Sequence, residues 1–167
     1  MREFYTREFK QPYTLSDEGF SLMLVGSSGA GKTTWIEKAI ESGFIPLPTS
    51  IDYRTPNEAC DLKNESCSRW DDKFPEIPIQ YNSTLPTREE YREYEEGDLC
   101  IIDDWGSEAI KNKAFVFAVE ALRRKKKFSI ILVLQYFFVC AGPETQTVKN
   151  QFDVRYFFVF FLIELKF

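Results

Sequence analysis

Residues 26 to 34 read Gly26-Ser27-Ser28-Gly29-Ala30-Gly31-Lys32-Thr33-Thr34. The order satisfies G-x-x-x-x-G-K-[ST] at every fixed position. Triphosphate oxygens need several backbone N–H groups aimed inward, and a tightly curled main chain supplies them. Glycine permits the dihedrals of such a curl and leaves room for phosphate. The segment also feeds a helical pattern, whose start adds free N–H groups and the positive end of a dipole. Gly26 through Thr34 are therefore the candidate phosphate-binding residues. Lys32 would reach the β- and γ-phosphates, and the Thr33 hydroxyl would ligate Mg²⁺. ATP and Mg²⁺ are the expected cofactors. The competing account is a flexible glycine turn that carries a lysine by accident.

A second constellation is Asp98 to Gly106, DLCIIDDWG, with four apolar residues followed by two carboxylates. Adjacent negative charges at a buried strand end are costly unless a cation or a proton transfer requires them. In a phosphate-cleaving site Asp103 would hold Mg²⁺ through water, and Asp104 would orient or deprotonate the attacking water. The plainer alternative is that the pair caps the segment that follows. Ser129 to Gln135, SIILVLQ, is a further apolar run with a polar tip. Gln135 either senses the γ-phosphate and positions water, or satisfies loop backbone groups.

The elements that must hold these residues can be read from the apolar pattern. Phe20–Val25 reads as a buried strand running into the glycine loop. Lys32 to Ser42 has helical spacing through Ile36, Ala39 and Ile40, stopped by Gly43. Ser50–Tyr53 and Ile77–Tyr81 are short strand candidates, and Glu58–Lys63 a short helix. Thr87–Glu96 reads as a charged helix with Thr87 as N-cap and Glu90 completing a capping box. Leu99–Ile102 is a strand ahead of the acidic pair. From Ser107 or Glu108 a helical pattern runs through Ala114, Phe117, Ala118, Ala121 and Leu122 to the basic run Arg123–Lys127. Ser129–Leu134 and Tyr156–Ile163 complete the strands. Apolar strands alternating with helices predict an α/β fold, a parallel sheet covered on both faces. Ligands in such sheets bind at the carboxyl ends of the strands, where the glycine loop and the acidic pair both fall.

Composition narrows the chemistry. The chain has 167 residues and shows no internal repeat or domain boundary, so residues 1–167 read as one domain with 1–18 as a lead-in. At 44% hydrophobic it can bury a core, and a net charge of −5 argues against a wholesale basic coat for nucleic acid. No histidine is present, which excludes histidine-ligated metals and Ser-His-Asp or Cys-His nucleophiles. Cys60 and Cys67 are too far apart for a zinc knuckle, and Cys100 and Cys140 sit in apolar runs as small core residues. The start of the chain lacks an apolar signal core. Its longest apolar stretches fall short of the ~20 residues that span a bilayer. An intracellular protein without membrane contact is expected.

The order of these blocks resembles the viral genome-packaging ATPases of the FtsK/HerA-like P-loop branch. The poxvirus-type enzyme and its relatives in Polinton/Maverick elements and adenovirus-like viruses look most similar. The resemblance runs from about Gln11 to Phe161. It rests on the glycine loop and on EEGDLCIIDDWGSEAIKNK, with QPYTL, IPLPTSIDY, FSIILVLQYFF and VRYFFVF as lesser agreements. It implies a three-layer P-loop NTPase with a mostly parallel central sheet of the additional-strand type. It assigns phosphate and Mg²⁺ binding to Gly26–Thr33 (Walker A), the metal role to Asp103 and the base role to Asp104 (Walker B), and a sensor position to Gln135. The function so implied is an ATP-hydrolysing motor that packages or translocates double-stranded DNA. It would work as a homo-oligomeric ring, with capsid or portal proteins as further partners, in a host cell or virion.

Such motors need a transition-state cation, often an arginine from a neighbouring subunit. Arg123, Arg124 and Arg155 are the candidates. The run Arg123–Lys127 could instead face DNA phosphates or be a solvated helix end. Two other classes share the glycine loop. One is a small nucleotide kinase, which passes phosphate to a nucleotide rather than to water. The other is a nucleotide-binding protein with degenerate hydrolysis. A GTPase fits less well, because Asn112-Lys113 is followed by Ala-Phe and not by the guanine-reading x-Asp.

Overall fold

The computed structural model describes residue 15, residues 18–56 and 70–135, and the backbone of Val154–Phe158. Its strands are β1 (Ser21–Gly26), β2 (Ile51–Arg54), β3 (Ile79–Asn82), β4 (Leu99–Asp103), β5 (Ser129–Leu134) and β6 (Val154–Phe158). The helices are α1 (Lys32–Glu41), α2 (Arg88–Glu93), α3 (Gly106–Lys111), α4 (Lys113–Phe117) and α5 (Arg123–Lys126). A π-wound turn, Ala118–Leu122, joins the last two.

All six strands form one sheet in the order β3-β2-β4-β5-β1-β6, and every neighbouring pair is parallel. Strands buried on both faces read as unbroken apolar runs, and every residue of SLMLVG and SIILVL is buried. Two cores result. On one face Leu22, Leu24, Ile101, Ile131 and Val133 meet Trp35, Ile36 and Ala39 of α1. On the other, Met23, Val25, Cys100, Ile102 and Leu132 meet Tyr91, Ile110, Phe115 and Val119 from the helices after β3. The expected three-layer α/β fold is present, and β5 is the additional strand, inserted between β1 and β4. Because the strands are parallel, Gly26, Arg54, Asn82, Asp103 and Leu134 all end on one edge of the sheet.

Local chemistry accounts for most boundaries. Helix α1 buries one stripe and stops where Gly43 takes a left-handed φ of 76°, which costs glycine little. At α2 the capping box forms as expected. The Thr87 hydroxyl accepts from the Glu90 N–H at 3.2 Å, and Glu90 Oε2 accepts from the Thr87 N–H at 2.7 Å. That helix ends at Glu93, because Tyr94 turns extended and packs its ring on Tyr91 and Phe128.

One long helix was expected after the acidic pair, and two corrections apply there. The chain breaks at Asn112, whose side chain accepts from the N–H groups of Ala114 and Phe115 and so caps α4. The buried stripe then runs through Phe115, Ala118, Val119 and Arg123, while Ala121 is exposed. Alanine methyls carry little phase information, and a π turn holds one residue more than the α-helical repeat, so the apolar periodicity misplaced the face. Strand β3 starts at Ile79 rather than Ile77, and β6 at Val154 rather than Tyr156. Cys100 is a buried free thiol, as expected of a core residue. The helix expected at Glu58–Lys63 and the cysteines Cys60, Cys67 and Cys140 lie outside the described residues. Among the described residues no helix is long and apolar enough to cross a membrane.

Candidate active site

The glycine loop leaves the carboxyl end of β1 and curls before entering α1. Gly29 and Gly31 hold φ values of 76° and 81°, a region that side-chain-bearing residues avoid. At Gly29 a Cβ would meet nothing within 4 Å, so glycine is there for its dihedral and not for close packing. The curl is closed by the Ala30 N–H donating to the Ser27 carbonyl at 3.1 Å. Gly31 is the N-cap of α1 and supplies no side-chain cap, and no acidic residue lies in the first turn. Ten residues of helix thus begin with first-turn N–H groups and a positive dipole end that no side-chain cap or acidic first-turn residue satisfies.

Lys32, only 8% exposed, bends back over the loop. Its ammonium donates to the carbonyls of Gly26 and Ser27, each at 2.8 Å. An ammonium has three N–H donors, so these bonds fix its direction and leave one for a ligand oxygen. Burial lowers the lysine's pKa from its ordinary value, and the nearby Asp103 and Asp104 charges pull it back up. A cation short of solvent gains from a bound anion, and the two carboxylates beside it gain from a bound cation.

Asp103 is the last residue of β4 and extends the column of Leu99 and Ile101 on the α1 face of the sheet. Its carboxylate accepts a hydrogen bond from the Tyr53 hydroxyl, and the Thr33 hydroxyl lies near enough to lower its pKa. Burial raises its pKa, opposed by the Tyr53 bond, the Lys32 charge and the Thr33 hydroxyl, while Asp104 adds to the rise. The nearness of Thr33 to Asp103 brings the two sequence constellations together across the intervening β5. Asp104 follows with a left-handed φ of 63°, uncommon for any residue but glycine and best tolerated by aspartate and asparagine. This turn breaks the strand's alternation and leaves the Asp104 carboxylate exposed beside Asp103. The two acids thus differ. Asp103 is anchored among hydroxyls and Asp104 faces the open edge. Among the described residues neither forms an ion pair.

Gln135 is half-buried one residue past β5, on the same edge and between the strands that bear the loop and the acids. Thr33 and Asp103 both offer hard oxygen donors at one point, the set that Mg²⁺ prefers together with phosphate oxygens. The glycine curl, the helix start and Lys32 likewise fit a triphosphate.

Tyr53 was not among the sequence candidates. It ends the IDY triplet on β2, where it pairs with Ile101 of β4, two residues before Asp103 on the same face. Its hydroxyl donates to Asp103 Oδ2 at 2.5 Å. The available signal was a tyrosine at an inward strand position, because a buried phenol usually finds an acceptor.

The basic run does not join the site. Helix α5 leads into the amino end of β5, the edge opposite the glycine loop. Arg123 is 2% exposed and donates to the Gly19 carbonyl at 2.9 Å, so it is committed to the fold. Lys126 donates to the carbonyls of Arg92 and Tyr94, and Lys127 pairs with Glu96 at 3.4 Å. Arg123 is thereby removed as a transition-state cation and as a DNA contact. Arg124 and Lys125 remain exposed at that far edge. The side chain of Arg155 lies outside the described residues.

No family model matches the chain, and no curated protein does. Among solved structures it is similar to the helicase domain of Hef from Pyrococcus furiosus. The TM-score is 0.55 at 13% sequence identity, over 92% of this chain and 37% of that one. The chain thus spans little more than a third of the length of that neighbour, and what the two share is the α/β fold.

Proposed function

We propose that this chain binds ATP with Mg²⁺ and hydrolyses it. The nearness of Thr33, at the start of α1, to Asp103, at the end of β4, carries the reading: the hydroxyl lies close enough to lower the carboxylate's pKa. Two segments some seventy residues apart in sequence, each with a composition suited to phosphate chemistry, come together here, and Thr33 and Asp103 would be the residues to hold a magnesium ion there. The loop N–H groups and the start of α1 would hold the phosphates. Lys32, already aimed by its two carbonyl bonds, would balance charge on the γ-phosphoryl group. Thr33 and Asp103 would hold the metal, which screens the phosphate oxygens. Asp104, at the exposed edge, would accept a proton from the attacking water, with Gln135 helping to place that water.

Beyond hydrolysis, the resemblance to viral genome-packaging ATPases and the additional-strand sheet favour a motor acting on double-stranded DNA as a homo-oligomeric ring. Capsid or portal proteins would be its further partners. With Arg123 committed to the fold, the activating cation would come from another arginine, in agreement with one supplied by a neighbouring subunit.

The test is phosphate release from Mg-ATP, measured with and without duplex DNA across protein concentrations. Turnover that rises with DNA and steeply with concentration supports the motor. Asp104→Asn should retain ATP and lose about 10²-fold or more in turnover. ATP binding without turnover under every condition would favour the degenerate-hydrolysis alternative. Phosphate appearing on an added nucleotide would favour a kinase.

A further inference from the structure

We infer that Tyr53 is a positioning residue for the metal-binding carboxylate, and that its hydroxyl sets how strongly Mg²⁺ couples to nucleotide at this site. The inference rests on the nucleotide reading above. Tyr53 is 8% exposed and held on three sides. Its ring packs at 5.8 Å from Trp70 and at 6.1 Å, edge-on, from Tyr81, and its backbone is paired in the middle of β2 between β3 and β4. A phenol so clamped holds its oxygen in one place, against Asp103 Oδ2.

A free carboxylate rotates about its Cβ–Cγ bond and presents about four lone-pair sites. The Tyr53 hydroxyl on β2 takes one of them and holds that rotation, with the Thr33 hydroxyl of α1 close by. The remaining sites are presented in one fixed orientation, with no charge added. A lysine or arginine in place of the phenol would hold Asp103 equally well but would neutralise it and weaken its pull on a cation. A tyrosine holds the carboxylate and leaves its charge for the metal. Partners that orient a ligating group in this way commonly matter by about 10- to 100-fold in metal affinity or activity.

The test is calorimetry of ATP binding in Mg²⁺ and in EDTA, with melting temperature as a companion readout. Tyr53→Phe keeps the ring and removes the hydroxyl. It should bind ATP in EDTA like the wild type and lose about 10-fold of the affinity gained on adding Mg²⁺. Tyr81→Phe is the control, since that hydroxyl donates to Asp71, and it should leave the Mg²⁺ gain unchanged. In an Asp103→Ala background Tyr53→Phe should have no further effect on the Mg²⁺ gain, because the hydroxyl acts only through that carboxylate. A Tyr53→Phe protein with the full wild-type Mg²⁺ gain overturns the inference and leaves the nucleotide reading standing. So does an additive loss in the double variant. A wild type that binds ATP in neither buffer overturns the nucleotide reading and takes the inference with it.

Discussion

Two acidic sites lie near the carboxyl ends of neighbouring strands, and the protein treats them in opposite ways. On β2, Asp52 is matched on every side. Arg54 donates to it from Nε at 2.8 and 2.9 Å and from Nη2 at 2.7 Å, Asn82 Nδ2 donates at 2.9 Å, and the Tyr94 hydroxyl donates as well. Arg54 spends its other donors on Glu90 at 3.0 Å and on the Thr84 carbonyl at 3.2 Å. One strand away, Asp103 and Asp104 have no cation in ion-pair contact among the described residues; the Tyr53 hydroxyl holds Asp103, with the Thr33 hydroxyl close by. A buried carboxylate with a guanidinium and a full set of donors has nothing left for a ligand. A carboxylate oriented by neutral donors, with a lysine aimed nearby but bound elsewhere, retains its charge. The first site is structural and ties β2 to β3 and α2. The second carries charge that no ion pair among the described residues offsets.

Variants should separate the two by the property that each one moves. The largest effect is expected from Lys32→Ala, which removes the cation that, among the described residues, faces the acidic pair. ATP turnover should fall by about 10²-fold or more, with little change in unfolding midpoint. Unchanged turnover would place Lys32 with the structural charges.

Next is Arg54→Ala. It strands Asp52 in a buried position and should cost about 3–5 kcal/mol in urea unfolding. Its folded fraction should still bind ATP, and selective loss of ATP binding at full stability would erase the distinction drawn here. Replacing both partners at once, Asp52→Leu with Arg54→Leu, should cost less than the single change, because no unpaired charge remains.

A smaller effect is expected at the edge of the structural site. Thr87→Ala breaks the capping box of α2 and should cost about 1 kcal/mol. Smallest of all is Lys125→Gln, an exposed position at the far edge of the sheet. It should move stability by no more than about 0.5 kcal/mol and leave turnover without DNA unchanged.

The same contrast explains what could be read from the sequence. The glycine loop and the acidic pair were legible because backbone curvature and adjacent charges leave a signature in residue type and order. The central strands were legible because β1 and β5 are apolar without interruption. Tyr53 and Arg54 were not, since a tyrosine or arginine at a strand end could face water. The sheet register shows that one lies beside the strand of Asp103, and the structure shows that the other meets Asp52 two residues back on its own strand. Arg123 misled for the same reason. In a run of five basic residues nothing marks the one whose guanidinium lies under the sheet against Gly19. The break at Asn112 was hidden because asparagine is tolerated inside helices, and its capping role depends on local dihedrals.

The central claim is that the glycine loop and the acidic strand share one magnesium-bound triphosphate. Calorimetric titration of wild type and Asp103→Ala with ATP, in Mg²⁺ and in EDTA, addresses it most directly. The account predicts that wild type gains affinity on adding Mg²⁺, whereas Asp103→Ala binds ATP in EDTA equally well and gains little. Equal Mg²⁺ gains in the two proteins, or no heat from wild type in either buffer, would contradict it.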